Sequence, residues 1–451
     1  MRKFFFVAGV VSGLAVNTAT PQSPMFNGDQ KVQNILSTIS SDTIRFNLTR
    51  LAACGTRNTF SDTLSNTRGV GAARRWIHRT FTRFSKNSGG RLQASFDYFD
   101  QPLEGRAAVE TKMSSVRTAN VIALLPGKKD NVMYIVGGHF DSMNNNRYDG
   151  KIDAPGANDD GSGTVAVMEL ARVMSQYEFE HTLVFVAFTG EEQGLWGSYH
   201  LAKRGKEEGW RVGGMITNDI VGNTHGGEGQ MENGYVRCFS PDPEDSPSRH
   251  LARFAKQHVE VFVPEMRVEM IFRLDRFGRG GDHRPFTENG FAGMRFTEPN
   301  EFFARQHTGE DRLEYVDFDY ISRIAKVNAA TLACLADAPL PPQLVMINRD
   351  PQTYETVLSW HSDQPADDLE GFKILMRETG DRYWQEDRII AVPAEIEAPN
   401  LGKVYQARVR GRSIDQYVFG LSAIGKNGRE SVVSTFDLQA AQAWVRAQRE
   451  K

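Results

Sequence analysis

Two rhythms of apolar residues run along the chain. Residues 30–53 carry Val32, Ile35, Ile39, Ile44 and Leu48 at helical spacing, and residues 69–84 place Ala72, Trp76 and Ile77 on one side. The pattern predicts a mostly helical stretch from Met25 to about Ala119. Short apolar runs follow at 120–125, 132–138 and 182–188, and further strands are predicted at 214–220, 235–239 and 293–297. Between the second and third runs, Val167, Leu170, Ala171 and Met174 recur at i, i+3, i+4 and i+7, so a helix starts near Gly161. Further helices are predicted over 246–259 and 317–335. Strands apolar on both faces, alternating with amphipathic helices, predict an α/β unit: a mostly parallel, mixed central sheet flanked by helices over 25–337.

The rhythm changes after Ala338-Pro339-Leu340-Pro341-Pro342. Short strands are predicted at 355–360, 371–377, 404–410 and 417–423, parted by turns rich in Asp, Gly and Pro. That spacing predicts a C-terminal all-β sandwich over 343–437. It resembles a fibronectin type III module, with Trp360 as the inner-sheet aromatic, and its expected role is structural or docking against a surface or partner. Residues 438–451 read as a polar helical tail. At the other end, Met1-Arg2-Lys3 precedes an apolar run from Phe4 to Val16 and then small residues up to Pro21. This is the layout of a secretory signal peptide over residues 1–20. The run is too short for the ~20 residues that span a bilayer. The expectation is an exported protein, secreted or periplasmic, with no membrane span once the signal is cleaved.

Composition narrows the classes. The 451 residues are 40% hydrophobic and 24% charged, which excludes a disordered chain. Lys and Arg total 53 against 56 Asp and Glu, a net charge of −3, so no basic footprint for nucleic acid exists. Loss of Arg2 and Lys3 with the signal takes it to −5. The three cysteines, Cys54, Cys238 and Cys334, form no CxxC pair. A thiolate zinc site is therefore not expected, and small buried hydrophobes are the favoured reading.

Acids and imidazoles gather at strand ends. His139 follows one apolar run in Gly138-His139-Phe140-Asp141-Ser142, and Pro155-Gly156-Ala157-Asn158-Asp159-Asp160-Gly161-Ser162-Gly163 opens the next helix. Thr189-Gly190-Glu191-Glu192 and Asp219 end two more strands. In open α/β sheets ligands collect at the carboxyl ends of strands. His and carboxylates without Cys suit zinc. Two adjacent acids allow one to coordinate metal while its neighbour serves as a base. Each pair alone also fits a helix N-terminus, where acids complement the dipole. Such capping does not require a His and acids on successive strand ends.

The order GHFDS, PGANDDGSG, TGEEQGLWGS, ND and QHTGEDRLEYVD resembles the M28 family of zinc aminopeptidases over roughly residues 45–335. The resemblance implies a zinc-exopeptidase fold and two Zn2+ per chain. His139 and Asp219 would hold one ion, Glu192 and His307 the other, and Asp159 would bridge them. It makes Glu191 the general base, places Asp141 behind His139 as its orienting partner, and implies a cis Asp159-Asp160 peptide. Gly280-Gly281-Asp282-His283 resembles the family's Ser-Asp-His loop, with Gly281 where Ser is usual, so Asp282 and His283 are expected to shape the pocket. The implied activity is removal of N-terminal residues from peptide substrates. Alternatives are a glutaminyl cyclase, a carboxypeptidase-type enzyme using Arg273, Arg276, Arg279 or Arg284 for a terminal carboxylate, and a binding module without catalysis. Glu298 and Glu301, before His307, are candidate acids for the substrate amine.

Overall fold

The computed structural model describes residues 29–129 and 132–449; the expected signal segment lies outside the described residues. Three helices come first, α1 (Gln30–Thr38), α2 (Ser41–Ala52) and α3 (Gly69–Asn87). The α1–α2 break falls where Ser40 caps α2 by accepting from the Thr43 amide. Next come β1 (Gln93–Pro102), α4 (Gly105–Thr111), β2 (Ser115–Leu125), β3 (Met133–His139), α5 (Gly161–Met174) and β4 (Thr182–Phe188). The α/β part closes with α6 (Trp196–Glu207), β5 (Val212–Asn218), β6 (Tyr235–Phe239), α7 (Pro247–Phe262), β7 (Arg267–Ile271), α8 (His283–Glu288), β8 (Gly293–Thr297) and α9 (Phe318–Ala336).

These strands form one eight-stranded mixed sheet in the order β1-β2-β4-β3-β5-β8-β6-β7. Its centre, β4-β3-β5-β8, is parallel, while β1 and β2 run antiparallel to their neighbours. Strand β4 shows why the run Thr182–Phe188 is apolar throughout. Leu183, Phe185 and Ala187 enter the core shared with α1, α2, α3, α5, α7 and α9, whereas Val184, Val186 and Phe188 face Leu201 and Ala202 of α6 and Phe286 of α8. Both faces of the sheet are covered, so both sets of side chains leave water.

Two four-stranded antiparallel sheets follow, built from β9 (Gln343–Arg349), β10 (Thr356–His361), β11 (Leu369–Glu378), β12 (Glu386–Ala391), β13 (Ile396–Ala398), β14 (Gly402–Val409), β15 (Tyr417–Gly425) and β16 (Ser434–Thr435). Trp360 is fully buried between the sheets, its ring 5.1 Å from Phe372 and 6.0 Å from Tyr405. The expected polar tail is helix α10 (Leu438–Arg449), and it is not polar all round. Trp444 and Val445 pack on Val345, Leu401 and Val404, and the Trp444 indole donates to the Leu401 carbonyl at 2.9 Å. The three cysteines are buried and unpaired.

Candidate metal centre

The central parallel strands bring the chemistry to one edge of the sheet. His139 is the last residue of β3, Glu191 and Glu192 follow β4, and Asp219 follows β5. Asp159 precedes α5, and His307 sits on the loop between β8 and α9 in the left-handed region at φ 56°. Few non-glycine residues adopt that conformation.

Asp159 is the hub. Its Oδ1 lies 3.4 Å from His139 Nε2, and its Oδ2 lies 3.1 Å from His307 Nε2. Asp219 Oδ1 approaches His139 Nε2 at 3.7 Å, and Glu192 Oε2 approaches His307 Nε2 at 3.3 Å. Glu191 Oε2 stands 3.9 Å from His139 Nε2. All of the residues singled out as metal-binding or basic therefore converge. His139, Asp159 and Glu192 place ligand atoms within 4.8 Å of one another, as do His139, Asp160 and Asp219.

Asp160 nevertheless has different work from Asp159. Its Oδ2 accepts the His139 amide at 3.0 Å, and its Oδ1 accepts the amides of Gly163 at 2.9 Å and Ile220 at 3.1 Å. The carboxylate caps α5 and ties that helix to β3 and to the loop after β5. Its oxygens are engaged by backbone, which leaves Asp159 as the ligand-type acid. The peptide between the two is cis, as the family resemblance implied.

Asp141 acts chiefly on the other acids. Its Oδ1 and Oδ2 accept the amides of Glu191 and Glu192, both at 3.2 Å, and so fix the Glu-Glu turn. His139 Nδ1 faces the Asp141 backbone carbonyl at 3.1 Å, while the carboxylate is 3.7 Å away. Asp282 and His283 are buried beside the site, and the His283 Nε2 contacts the Leu274 carbonyl at 2.7 Å. Glu298 and Glu301 are neither solvated loop acids nor pocket acids. Glu298 is fully buried and accepts from Asn158 Nδ2 and, at 2.7 Å, from the Asn223 amide. Glu301 is held by Arg237 and Arg276.

Three supports have no role assigned from the sequence. Arg57, fully buried, donates to the carbonyls of Phe140, Pro155 and Gly156, which pins the loops after His139 and before Asp159. Asp311 accepts the amides of Asn158 and Asp159, both at 2.8 Å, a task that its place in the QHTGEDRLEYVD segment does not reveal. Arg295, fully buried, reaches Asp219 Oδ2 at 3.2 Å and Asp275 at 3.0 Å.

The electrostatics suit a cation. Burial pushes Glu191 and Glu192 well above the usual carboxylate range, and neighbouring acids add to it. Burial opposes charging His139, but Glu191 and the carboxylates of Asp141, Asp159 and Asp219 outweigh it and raise that imidazole well above its ordinary value. Among the described residues no donor is aimed to hydrogen-bond Asp159 Oδ2 or Glu192 Oε1, although both atoms are buried. Orphaned buried carboxylate oxygens beside two imidazole nitrogens form a donor set that fits zinc.

The site opens into a cavity of about 390 Å³ whose lining includes Asp159, Glu191, Glu192, Asp219 and His307.

Residues 120–332 match peptidase family M28. A probable zinc metalloprotease of Pyrenophora tritici-repentis is 35% identical over 433 residues, covering 89% of this chain and 96% of the relative. The chain belongs to peptidase family M28. A second relative, a probable zinc metalloprotease of Leptosphaeria maculans, is 35% identical over 432 residues, with 89% of this chain and 96% of the relative covered. The α/β fold of this M28 peptidase is shared with the LapA aminopeptidase of Legionella pneumophila (TM-score 0.52, 21% identity, 68% of this chain and 76% of that one). It is also shared with an aminopeptidase from Aneurinibacillus sp. strain AM-1 (TM-score 0.51, 16% identity, 67% and 96% covered). Zinc is thus the metal implied by both the relatives and the donor set.

Proposed function

We propose that this M28 peptidase is a dizinc exopeptidase that removes N-terminal residues from peptides. The carrying observation is Asp159, whose two oxygens each face a different imidazole, His139 and His307. A carboxylate so placed can serve two ions. In this reading Asp219 completes the His139 side and Glu192 the His307 side. Bound zinc supplies Lewis-acid activation of water and of the scissile carbonyl. Glu191, half-buried and held by its amide on Asp141, takes a proton from the attacking water and returns it to the leaving amine. Asp141 and Asp160 keep Glu191, Glu192 and His139 in register through backbone amides.

The wider reading has three parts. Residues 25–337 act as the peptidase unit, residues 343–437 form a fibronectin type III-like module that braces it or docks a surface or partner, and residues 1–20 direct export. No helix among the described residues is long and apolar enough to cross a membrane. Peptides are the partners, with no nucleic acid.

The test compares aminoacyl-nitroanilides with their N-acetylated forms, with and without chelator, beside a metal count on the zinc-repleted protein. Selective hydrolysis of free-amine substrates, lost to chelator, with two zinc equivalents is expected. Equal cleavage of blocked substrates would overturn the aminopeptidase assignment, and a single equivalent would overturn the dizinc one.

A further inference from the structure

The cavity beside the metal centre is also lined by a set of cations, its arginine wall. Arg147, Arg276, Arg279 and Arg284 all line it, and the acids lining it are those of the metal centre. Met143, Leu195 and Tyr199 supply its apolar lining, so a substrate side chain there meets guanidinium groups and apolar surface together.

The four guanidinium groups are not equally engaged. Arg276 is buried and held by Asp275 and Glu301. Arg279 donates from Nη1 to Gln306 at 3.2 Å and stands 3.8 Å from Glu301, which leaves Nε and Nη2 without acceptors among the described residues. Arg284 donates from Nε to Glu288 at 2.7 Å, and its terminal nitrogens have no acceptor among the described residues. Arg147 is exposed and has no acidic partner among the described residues. Planar guanidinium forks with free N–H pairs match a carboxylate geometrically and electrically.

The wall and the metal centre share one small cavity. A group that reaches the arginines therefore belongs to a residue beside the scissile bond. We propose that the Arg147–Arg279–Arg284 wall selects substrates carrying a carboxylate within one or two residues of the bond that is cut. The proposal rests on the exopeptidase reading above and names its substrate class. The carboxylate comes from an acidic N-terminal side chain or from the α-carboxylate of a very short peptide, and the wall would bind either by the same contacts.

Two substrate pairs on the zinc-loaded full chain separate the sources. Glutamyl- and leucyl-p-nitroanilide lack a terminal carboxylate and test the side chain. Leu-Leu and Leu-Leu-amide test the terminus. At least one pair should favour the carboxylate form by about 10–100-fold in kcat/KM, carried mainly by KM, as expected for one charge-assisted contact. In Arg147→Gln and Arg284→Gln the ratio within that pair should fall toward one, and Arg147→Lys should restore part of it. Ratios near one in both pairs of the wild type, or a ratio unmoved in both Gln variants, would overturn the assignment. The two readings fail separately. Hydrolysis of leucyl substrates without a carboxylate preference sinks only the cationic wall, whereas equal cleavage of N-acetylated peptides sinks only the aminopeptidase reading. Calorimetric binding of glutamate against glutamine tests the wall without turnover: tighter glutamate supports it, and equal binding overturns it.

Discussion

Asp159 and Asp160 are adjacent, chemically identical and both buried, yet their surroundings assign them opposite tasks. Asp160 has its oxygens taken by the amides of His139, Gly163 and Ile220. Asp159 presents its oxygens to two imidazoles. Asp159→Asn should therefore lose bound zinc by elemental analysis while the fold is kept. Asp160→Asn should turn an amide donor toward backbone N–H groups and cost about 1–3 kcal/mol of stability in chemical denaturation. If Asp160→Asn were the variant that shed zinc at unchanged stability, the assignment of the pair would be inverted. For Glu191, Glu191→Gln should keep the metal and lower kcat about 10²–10⁴-fold, the range of a general base. Wild-type turnover in that variant would remove Glu191 from the reaction.

At the scale of elements, the site depends on how closely α5 approaches the strands. A Cβ on Gly163 would lie 2.0 Å from the Asn218 carbonyl oxygen and 2.6 Å from the Asp160 carboxylate. Gly163→Ala should push the start of α5 off β5 and destabilise the protein by about 1–3 kcal/mol, the usual cost of overpacking, with zinc affinity falling too. Undiminished stability and zinc binding would mean that this contact does not set the site. The same elements show what a sequence can reveal. Strands β4, β6 and β8 fall on their predicted spans; burial on both faces makes β4 apolar from Leu183 to Phe188, while β6 and β8 stay legible although each carries an arginine, Arg237 and Arg295. Strand β1 was hidden inside a stretch read as helical. It is an edge strand with one buried residue, Asp97, and its register comes from β2, not from its own pattern. Strand β7, the opposite edge, is also missed: its alternation of buried Val268 and Met270 with exposed Arg267 and Glu269 spans only five residues. Helix α6 begins within the Gly-rich motif after Glu192, where chemistry masks helical periodicity. The ligand residues were legible because strand ends and motifs mark them. Arg57 was not, because its importance lies in three carbonyls that fold back from distant loops.

At the scale of the whole molecule, the β unit is fastened to the peptidase unit by buried charge and one aromatic stack. Arg377 of β11 donates to both Asp245 oxygens at 2.7 Å, and Arg253 of α7 donates to the Arg382 carbonyl at 2.8 Å. Trp384 is accordingly no surface aromatic: it stacks on His250, whose Nε2 also meets the Thr435 hydroxyl at 3.1 Å. Burial, aided by Arg253, lowers the His250 pKa to about 4, and burial does the same to His258 on the same helix. Both imidazoles are thus neutral in the folded protein at a pH where the unfolded chain, with pKa near 6.5, binds protons. Their contribution is fully present above about pH 6.5 and is lost as pH falls toward 4. It amounts to about 3 kcal/mol each on this linkage. Paired carboxylates such as Asp275, which Arg295 and Arg276 hold below the usual range despite burial, withdraw their contribution in a more acidic window. The part of the urea midpoint that these two imidazoles set should therefore fall between pH 6.5 and 4.5, against the opposite trend of buried acids such as Glu191 and Glu192, whose pKa values burial raises. His250→Gln keeps a side-chain partner for Thr435 but cannot take up a proton, so its midpoint should fall less over the same interval. Parallel curves for the two proteins would show that His250 is already open to protons in the native state and that the interface around Trp384 is looser than its packing indicates.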